Sequence, residues 1–244
     1  MSETVKTKVK KRSKKYRANE EKITLALEGK EALEIEKAVE LLFQLDQPKF
    51  KDGPMVELHA KLNINATKSD QLVRSSVVLP HGSGKKVVVA AFVTPESEEK
   101  AKKAGADIIG GESLIEEIKK SQEVNFDKAV AEPEMMKKLP PIAKILGIAG
   151  VMPNPKTGTV GTNLEEMIGK IKAGKIDFKN DKTGNLHVVC GKINKNFSKD
   201  KILENVRAAV EAIEKAKPEA VKKKYILSLF LSTSQSPSIK ISKA

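Results

Sequence analysis

The sequence has no tryptophan, two tyrosines and seven phenylalanines, so aromatics fill only 4% of its 244 positions. A core must therefore come from Val, Ile, Leu and Ala. A single cysteine, Cys190, excludes an intrachain disulfide and fits a reducing compartment. No run approaches the ~18 apolar residues of a membrane helix. The opening segment, Met1–Lys15, lacks the apolar stretch of a secretory signal and favours Lys over the Arg of a transit peptide. A cytoplasmic protein without a membrane partner is expected.

Signatures of catalysis are missing too. Gly82-Ser83-Gly84-Lys85 resembles a phosphate loop, but Leu79 stands where that motif needs glycine and Lys86 where it needs Ser or Thr. The segment also precedes a strand pattern, not the helix whose N-terminus would hold the phosphate. His59, His81 and His187 are scattered without metal-ligand spacing. Cys190 lies in an apolar strand pattern, where a small core residue is expected. Ser83 lacks a nucleophile-elbow context, and Gly147, Gly150 and Gly158 miss the dinucleotide spacing. No enzyme, cofactor or metal site is expected.

What is present is positive charge. Lys and Arg number 45 against 32 Asp and Glu, a net charge of +13, and so basic a protein usually meets nucleic acid or an anionic surface. Hydrophobic residues at 39% suit a globular chain of one large or two modest domains. The first residues carry Lys10, Lys11, Arg12, Lys14, Lys15 and Arg17 among other cations. Such a run is expected to be a disordered tail over residues 1–18, making non-specific phosphate contacts or simply solubilising the chain.

Periodicity divides the remainder into three. Ile35, Val39, Leu42 and Phe43 mark a helix ended by Pro48. Val56, Leu58, Ala60 and Leu62 alternate with Glu57, His59 and Lys61, as in a half-buried strand. In the middle third, Lys86–Val93 reads as a strand covered on both faces, and Ala106–Ile109 and Phe126–Ala131 as two more. Between them, Thr94 and Pro95 are expected to open one helix, and Ser113 with Glu116 to cap another. That alternation predicts a parallel sheet flanked by helices. Pro140 and Pro141 then open the segment Ile142–Leu146. In the last third, Thr162 with Glu165 predicts a capped helix. Ile176–Phe178 and Leu186–Ile193 predict a hairpin around Asp181–Gly184. A helix is expected from about Ser198 to just before Pro218, then strands Tyr225–Leu231 and Ile239–Ile241. The fold class read from this is α/β, with an α+β part built from both chain ends.

Four ordered segments resemble one family. They are Ser69–Arg74 with Val78–Lys85; Met152–Val160; Phe178–Gly184 with His187, Gly191 and Lys192; and Lys215–Pro218. Together they are similar to the bacterial type of the large-subunit ribosomal protein that forms the mobile stalk beside the tRNA exit site, the L-one family. The resemblance implies a discontinuous rRNA-binding domain (residues 19–74 and 160–244) and an inserted Rossmann-like α/β domain (75–159). Hinge crossings would fall at Arg74–Ser75 and Thr159–Val160. Lys49, Phe50, Glu57, Asp181, Lys182, Gly184, His187, Ser228, Ser234, Gln235 and Ser236 would contact rRNA. Phe50 could instead be packed in the core, and Lys182 could be a solvated turn residue. The implied partners are large-subunit rRNA, exit-site tRNA and the protein's own operon mRNA, which it would repress, with one copy per ribosome. A paralogue acting off the ribosome as a general RNA-binding module is the alternative.

Three segments depart from the family pattern. Ser234-Gln235-Ser236 stands in place of Thr-Met-Gly, Gly53-Pro54 looks inserted between Phe50 and His59, and Ile148-Ala149-Gly150 replaces Pro-Arg-Gly. At the first of these, each missing hydrogen bond to RNA would cost on the order of 1 kcal/mol.

Overall fold

The computed structural model describes residues 12–194 and 197–242; Lys10 and Lys11 of the basic run lie outside them. Helices α1 (Lys14–Leu27) and α2 (Ile35–Gln44) lead into strand β1 (Met55–Leu62). The basic run is therefore not all tail. Ser13 accepts from the Tyr16 amide as an N-cap, and Lys14, Lys15 and Arg17 are already helical. Arg12 pairs with Glu20 at 3.2 Å and stacks 4.5 Å above the Tyr16 ring. The acidic residues that follow offset the cations, and buried Asn19 exchanges two hydrogen bonds with the Asp46 backbone.

A four-stranded antiparallel sheet joins both ends of the chain in the order β7-β1-β8-β9, with β7 Asn185–Lys192, β8 Ile226–Thr233 and β9 Ile239–Ile241. β1 alternates half-buried and buried along its whole length, as its period-two pattern requires. Its inner row, Val56, Leu58, Ala60 and Leu62, shares one core with α2 and with α8 (Lys199–Lys215), which Ser198 caps. Cys190 belongs to that core, and burial pushes its thiol up to about 12. β2 (Arg74–Val78) and β6 (Lys175–Lys179) form a separate antiparallel pair on the same core.

The middle of the chain builds a parallel sheet in the order β4-β3-β5: β3 Val89–Phe92, β4 Ile108–Gly110 and β5 Lys128–Ala131. One face, with Ala90, Phe92, Ala129 and Ala131, packs on α4 (Glu112–Ser121) and α6 (Ala143–Ala149). The other, with Val89, Ala91 and Val130, packs on α3 (Glu98–Lys103) and α7 (Leu164–Lys172). Cover on both sides explains the unbroken apolar run. The strand starts later than the run itself, because the Asp127 and Asp107 carboxylates take the Val88 and Val89 amides. A short α5 (Pro133–Met136) follows β5.

Four local expectations are corrected. Thr94 caps nothing: its amide and hydroxyl both donate to Glu132. Gly111 is the N-cap of α4, since the chain turns from β4 straight into the helix, and Ser113 lies inside its first turn. Asn163, not Thr162, caps α7 and accepts from the Glu166 amide. The turn at Asp181–Gly184 does not close a hairpin ladder, because β6 pairs with β2 while β7 pairs with β1.

The positions expected as hinges are held in regular structure. Arg74 and Ser75 pair with Lys179 and Phe178. Thr159 is buried, and Val160 bridges Ala131. Side chains change core between Leu79 and Val87, and again between Ile171 and Ile176. The two crossings touch: a Cβ on Gly174 would lie 2.4 Å from Gly82 Cα, and the Leu79 amide donates to the Gly174 carbonyl. Buried Asn205 anchors the first crossing, accepting from the His81 amide and donating to the Gly82 and Cys190 carbonyls.

Candidate nucleic-acid interface

The antiparallel sheet buries one face under α2 and α8 and leaves the other open. Register decides what stands there. His59 pairs with His187 on one side and Phe230 on the other, and Phe230 pairs with Lys240. Residues directly opposite share a face, so His187, His59, Phe230 and Lys240 form one transverse row. Glu57 and Ser232 form a second row, Lys61 and Ser228 a third. Along β1 these rows span about 13 Å. An aromatic ring among basic, hydroxyl and imidazole groups offers stacking together with donors for phosphate and 2′-OH.

The histidines are coupled. His59 Nδ1 lies 2.7 Å from His187 Nδ1, and His59 Nε2 lies 2.9 Å from Ser232 Oγ. Glu57 stands 3.8 Å from His59, and Asp181 3.9 Å from His187. Burial first, and the charge of His187 second, lower the His59 pKa against the pull of Glu57. The 2.7 Å contact needs at least one of the two nitrogens unprotonated. A histidine that takes up its proton less readily when folded makes stability fall as pH drops through the unfolded value of about 6.5. The melting temperature is thus expected to fall more between pH 7 and 5.5 than it does in His59→Gln; parallel curves would show that His59 does not carry this dependence.

The residues implied by the family pattern divide among distinct roles. Phe50 is 44% exposed, so it is a surface aromatic and not a core residue. It sits with exposed Lys49 in the loop before β1. Gly53-Pro54 completes that loop: the Gly53 amide donates to the Phe50 carbonyl, and a Cβ on Gly53 would meet the Ile193 carbonyl at 2.1 Å. Ser234–Ser236 lie at the same end, because Thr233 pairs with Val56. Asp181–Gly184 and Ser228 lie at the other end, beside Lys61 and Asn185. Glu57 and His187 stand on the open face between them.

Asp181 shapes its turn from within. Its carboxylate accepts from the amides of Thr183 and Asn185 and from both of their side chains. These bonds, the Asn185 amide foremost, hold it ionised far below the ordinary carboxylate range. Gly184 is buried at φ +79°, and the Leu62 amide donates to its carbonyl. Lys182 projects freely, with no ion pair or hydrogen bond among the described residues.

In the divergent segment, Ser234 Oγ accepts from the Met55 amide and so fastens the start of β1. Gln235 is exposed with φ +63°, which suits glycine better. The Ser236 hydroxyl is buried without a partner among the described residues. Ser236→Ala is expected to stabilise the protein by about 1 kcal/mol, since an unmet buried hydroxyl costs about that much. A rise of roughly 2–4 °C in Tm should follow, and a fall would mean that the hydroxyl is satisfied by water.

Lys61, Phe230, Ser232 and Lys240 belong to the open face but not to the set that the family pattern implies. The alternation on β1 already places Glu57, His59 and Lys61 together. The β8 and β9 residues need the strand pairing.

Beside this face, between the two cores, runs a cleft of about 740 Å³ lined by the Gly82–Lys86 segment, Lys128, Lys172 and Lys175. Among the described residues no group of three or more His, Cys, Asp or Glu is placed to hold a metal ion.

These features define a class: an α/β protein with two cores and an open sheet face that carries imidazole, hydroxyl, aromatic and charged side chains. The chain belongs to the Ribosomal protein L1p/L10e family, whose model matches residues 5–237. Among curated relatives, a protein of Kosmotoga olearia is 44% identical over 210 residues, 86% of this chain and 89% of its own length. One of Thermosipho melanesiensis is 44% identical over 211 residues, with the same coverage. One of Thermus thermophilus is 42% identical over 232 residues, 95% of this chain and 97% of its own. All three are named large ribosomal subunit protein uL1.

Proposed function

We propose that the chain is a structural, non-enzymatic component of the large ribosomal subunit, acting in the cytoplasm as a single copy on the ribosome. Its open sheet face binds large-subunit rRNA at the mobile stalk. The observation that carries this is the transverse row His187-His59-Phe230-Lys240, with Phe50 and Lys49 at one end of the face and Lys182 and Ser228 at the other. The cations supply sequence-independent attraction, and the rings and hydroxyls read a folded RNA surface.

The two cores act as two domains, joined where Gly82 and Gly174 meet, and rotation there lets the stalk follow deacylated tRNA out of the exit site. Two adjacent crossings resist rotation little. Repression of the protein's own operon mRNA uses the same face, on an RNA that copies the rRNA surface. The basic residues Arg12, Lys14, Lys15 and Arg17 of the N-terminal region add phosphate contacts.

The test is affinity of the purified protein for a stalk rRNA fragment and for a scrambled transcript of equal length at physiological ionic strength. Preference for the fragment by about tenfold or more is expected, and equal affinity would overturn the reading. Co-sedimentation with large subunits separates it from a module that works off the ribosome.

A further inference from the structure

The cleft between the two cores carries more charge than its structural bonds use. Five lysines line it, Lys85, Lys86, Lys128, Lys172 and Lys175, against two carboxylates, Asp107 and Asp127. Lys85 pairs with Asp127 at 2.6 Å, Lys172 with Asp107 at 3.4 Å, and Lys128 with Asp177 at 2.5 Å. Two cations remain. Lys86 has no ion pair or hydrogen bond among the described residues. Lys175 donates only to carbonyls, those of Thr157 and Gly158. Burial foremost, with smaller contributions from Lys170 and Lys128, depresses the Lys175 pKa against the pull of Asp177.

The place of the cleft says what kind of anion it meets. Met55 and Val189 also line it. Met55 shares the β1 face of Glu57 and His59, and Val189 pairs with Glu57. The cleft therefore continues the open sheet face into the space between the cores. Both cores contribute to it, with Lys128 on the parallel sheet and Lys175 on β6.

We propose that this cleft is a second RNA site, which takes a backbone phosphate of the strand lying on the sheet and holds it between the two cores with Lys86, Lys175 and their neighbours. The proposal rests on the RNA-binding reading of the sheet face, and it adds that RNA engages both cores at once. A bound phosphate would complete the neutralisation that Asp107 and Asp127 leave unfinished.

The experiment compares Lys86→Gln/Lys175→Gln with wild type and with Lys119→Gln/Lys120→Gln, which removes the same charge from α4. Affinity is measured against salt for both the stalk fragment and the scrambled transcript. Unchanged melting of the cleft variant would confirm its fold. About a tenfold loss at physiological salt is expected for the cleft variant alone, with the salt slope shallower by about one. Backbone contact is independent of sequence, so this slope reads the cleft even if the wild type prefers neither RNA, a result that would sink only the specific reading of the sheet. Equal losses in the two variants, or no loss, would overturn the proposal. A second arm titrates inorganic pyrophosphate by calorimetry. One-to-one binding that vanishes in the cleft variant, with RNA slopes unchanged, would assign the cleft to a small phosphorylated molecule and overturn it as well.

Discussion

Gly174→Ala is expected to destabilise the protein by about 3 kcal/mol, the sum of a conformational and a packing cost. The new Cβ would stand 2.4 Å from Gly82 Cα, 3.2 Å from Gly82 N and 3.4 Å from the Leu79 carbonyl. All three are backbone atoms, so no side chain can rotate away. Gly174 also has φ +105°, where a side chain is strained in any surroundings. A left-handed residue costs about 1–2 kcal/mol, and overpacking about 1–3 kcal/mol. The nearest relief is to part the two crossings, which would break the Leu79 amide bond to Gly174. A drop of roughly 6–12 °C in Tm corresponds to that destabilisation. Gly147→Ala and Gly169→Ala are the controls, because a Cβ at either meets nothing within 4 Å. If Gly174→Ala melted with the controls, the crossings would be loose, and the close approach of the two glycines could not be a constraint on domain movement.

Phe50→Ala is expected to weaken binding to the stalk fragment by about 10- to 100-fold, the range of about 1–3 kcal/mol for loss of one stacked base. Stability should hardly change, since the ring is 44% exposed. The salt slope should also stay the same, because stacking releases no counterions. These three readouts distinguish the aromatic from the cleft lysines, whose removal changes the slope. A marked fall in Tm with affinity intact would return Phe50 to a packing role.

Much of the fold is legible from local pattern. The period-two run Val56–Leu62 is β1 with the expected inner face, and the apolar run before Val93 holds a strand covered on both sides. The helix expected from about Ser198 is α8, which starts one residue later with Ser198 as its cap. Local pattern misleads at helix starts, where a one-residue shift from Thr162 to Asn163 satisfies the same chemistry. It misleads also at Asp181–Gly184. A tight turn between two strands reads as a hairpin, yet here each strand finds its partner elsewhere. The family pattern puts α7 in the outer part of the chain, but its Leu164, Ile168 and Ile171 are buried on the parallel sheet. An amphipathic face shows that a helix is covered without showing by what.

The candidate site is legible in part. Charge and family resemblance point to RNA, and the loop at Phe50 and the exposed Lys182 stand at the two ends of the open face. Asp181 and Gly184 are builders of the turn, because a carboxylate that accepts four local donors has little left for a ligand.

Composition and order along the chain determine by themselves that this protein is basic, cored in aliphatic residues, without an intrachain disulfide and mixed in secondary structure. Those properties depend on residue type and on periodicity within short windows. The tertiary structure alone decides that Phe230, from near the end of the chain, stands beside His59, and that Gly82 meets Gly174. It also decides that five lysines from three stretches of the chain share one cleft. Such juxtapositions depend on strand register and on which core each helix covers. Both are set by long-range packing, for which neighbouring residues carry no local mark.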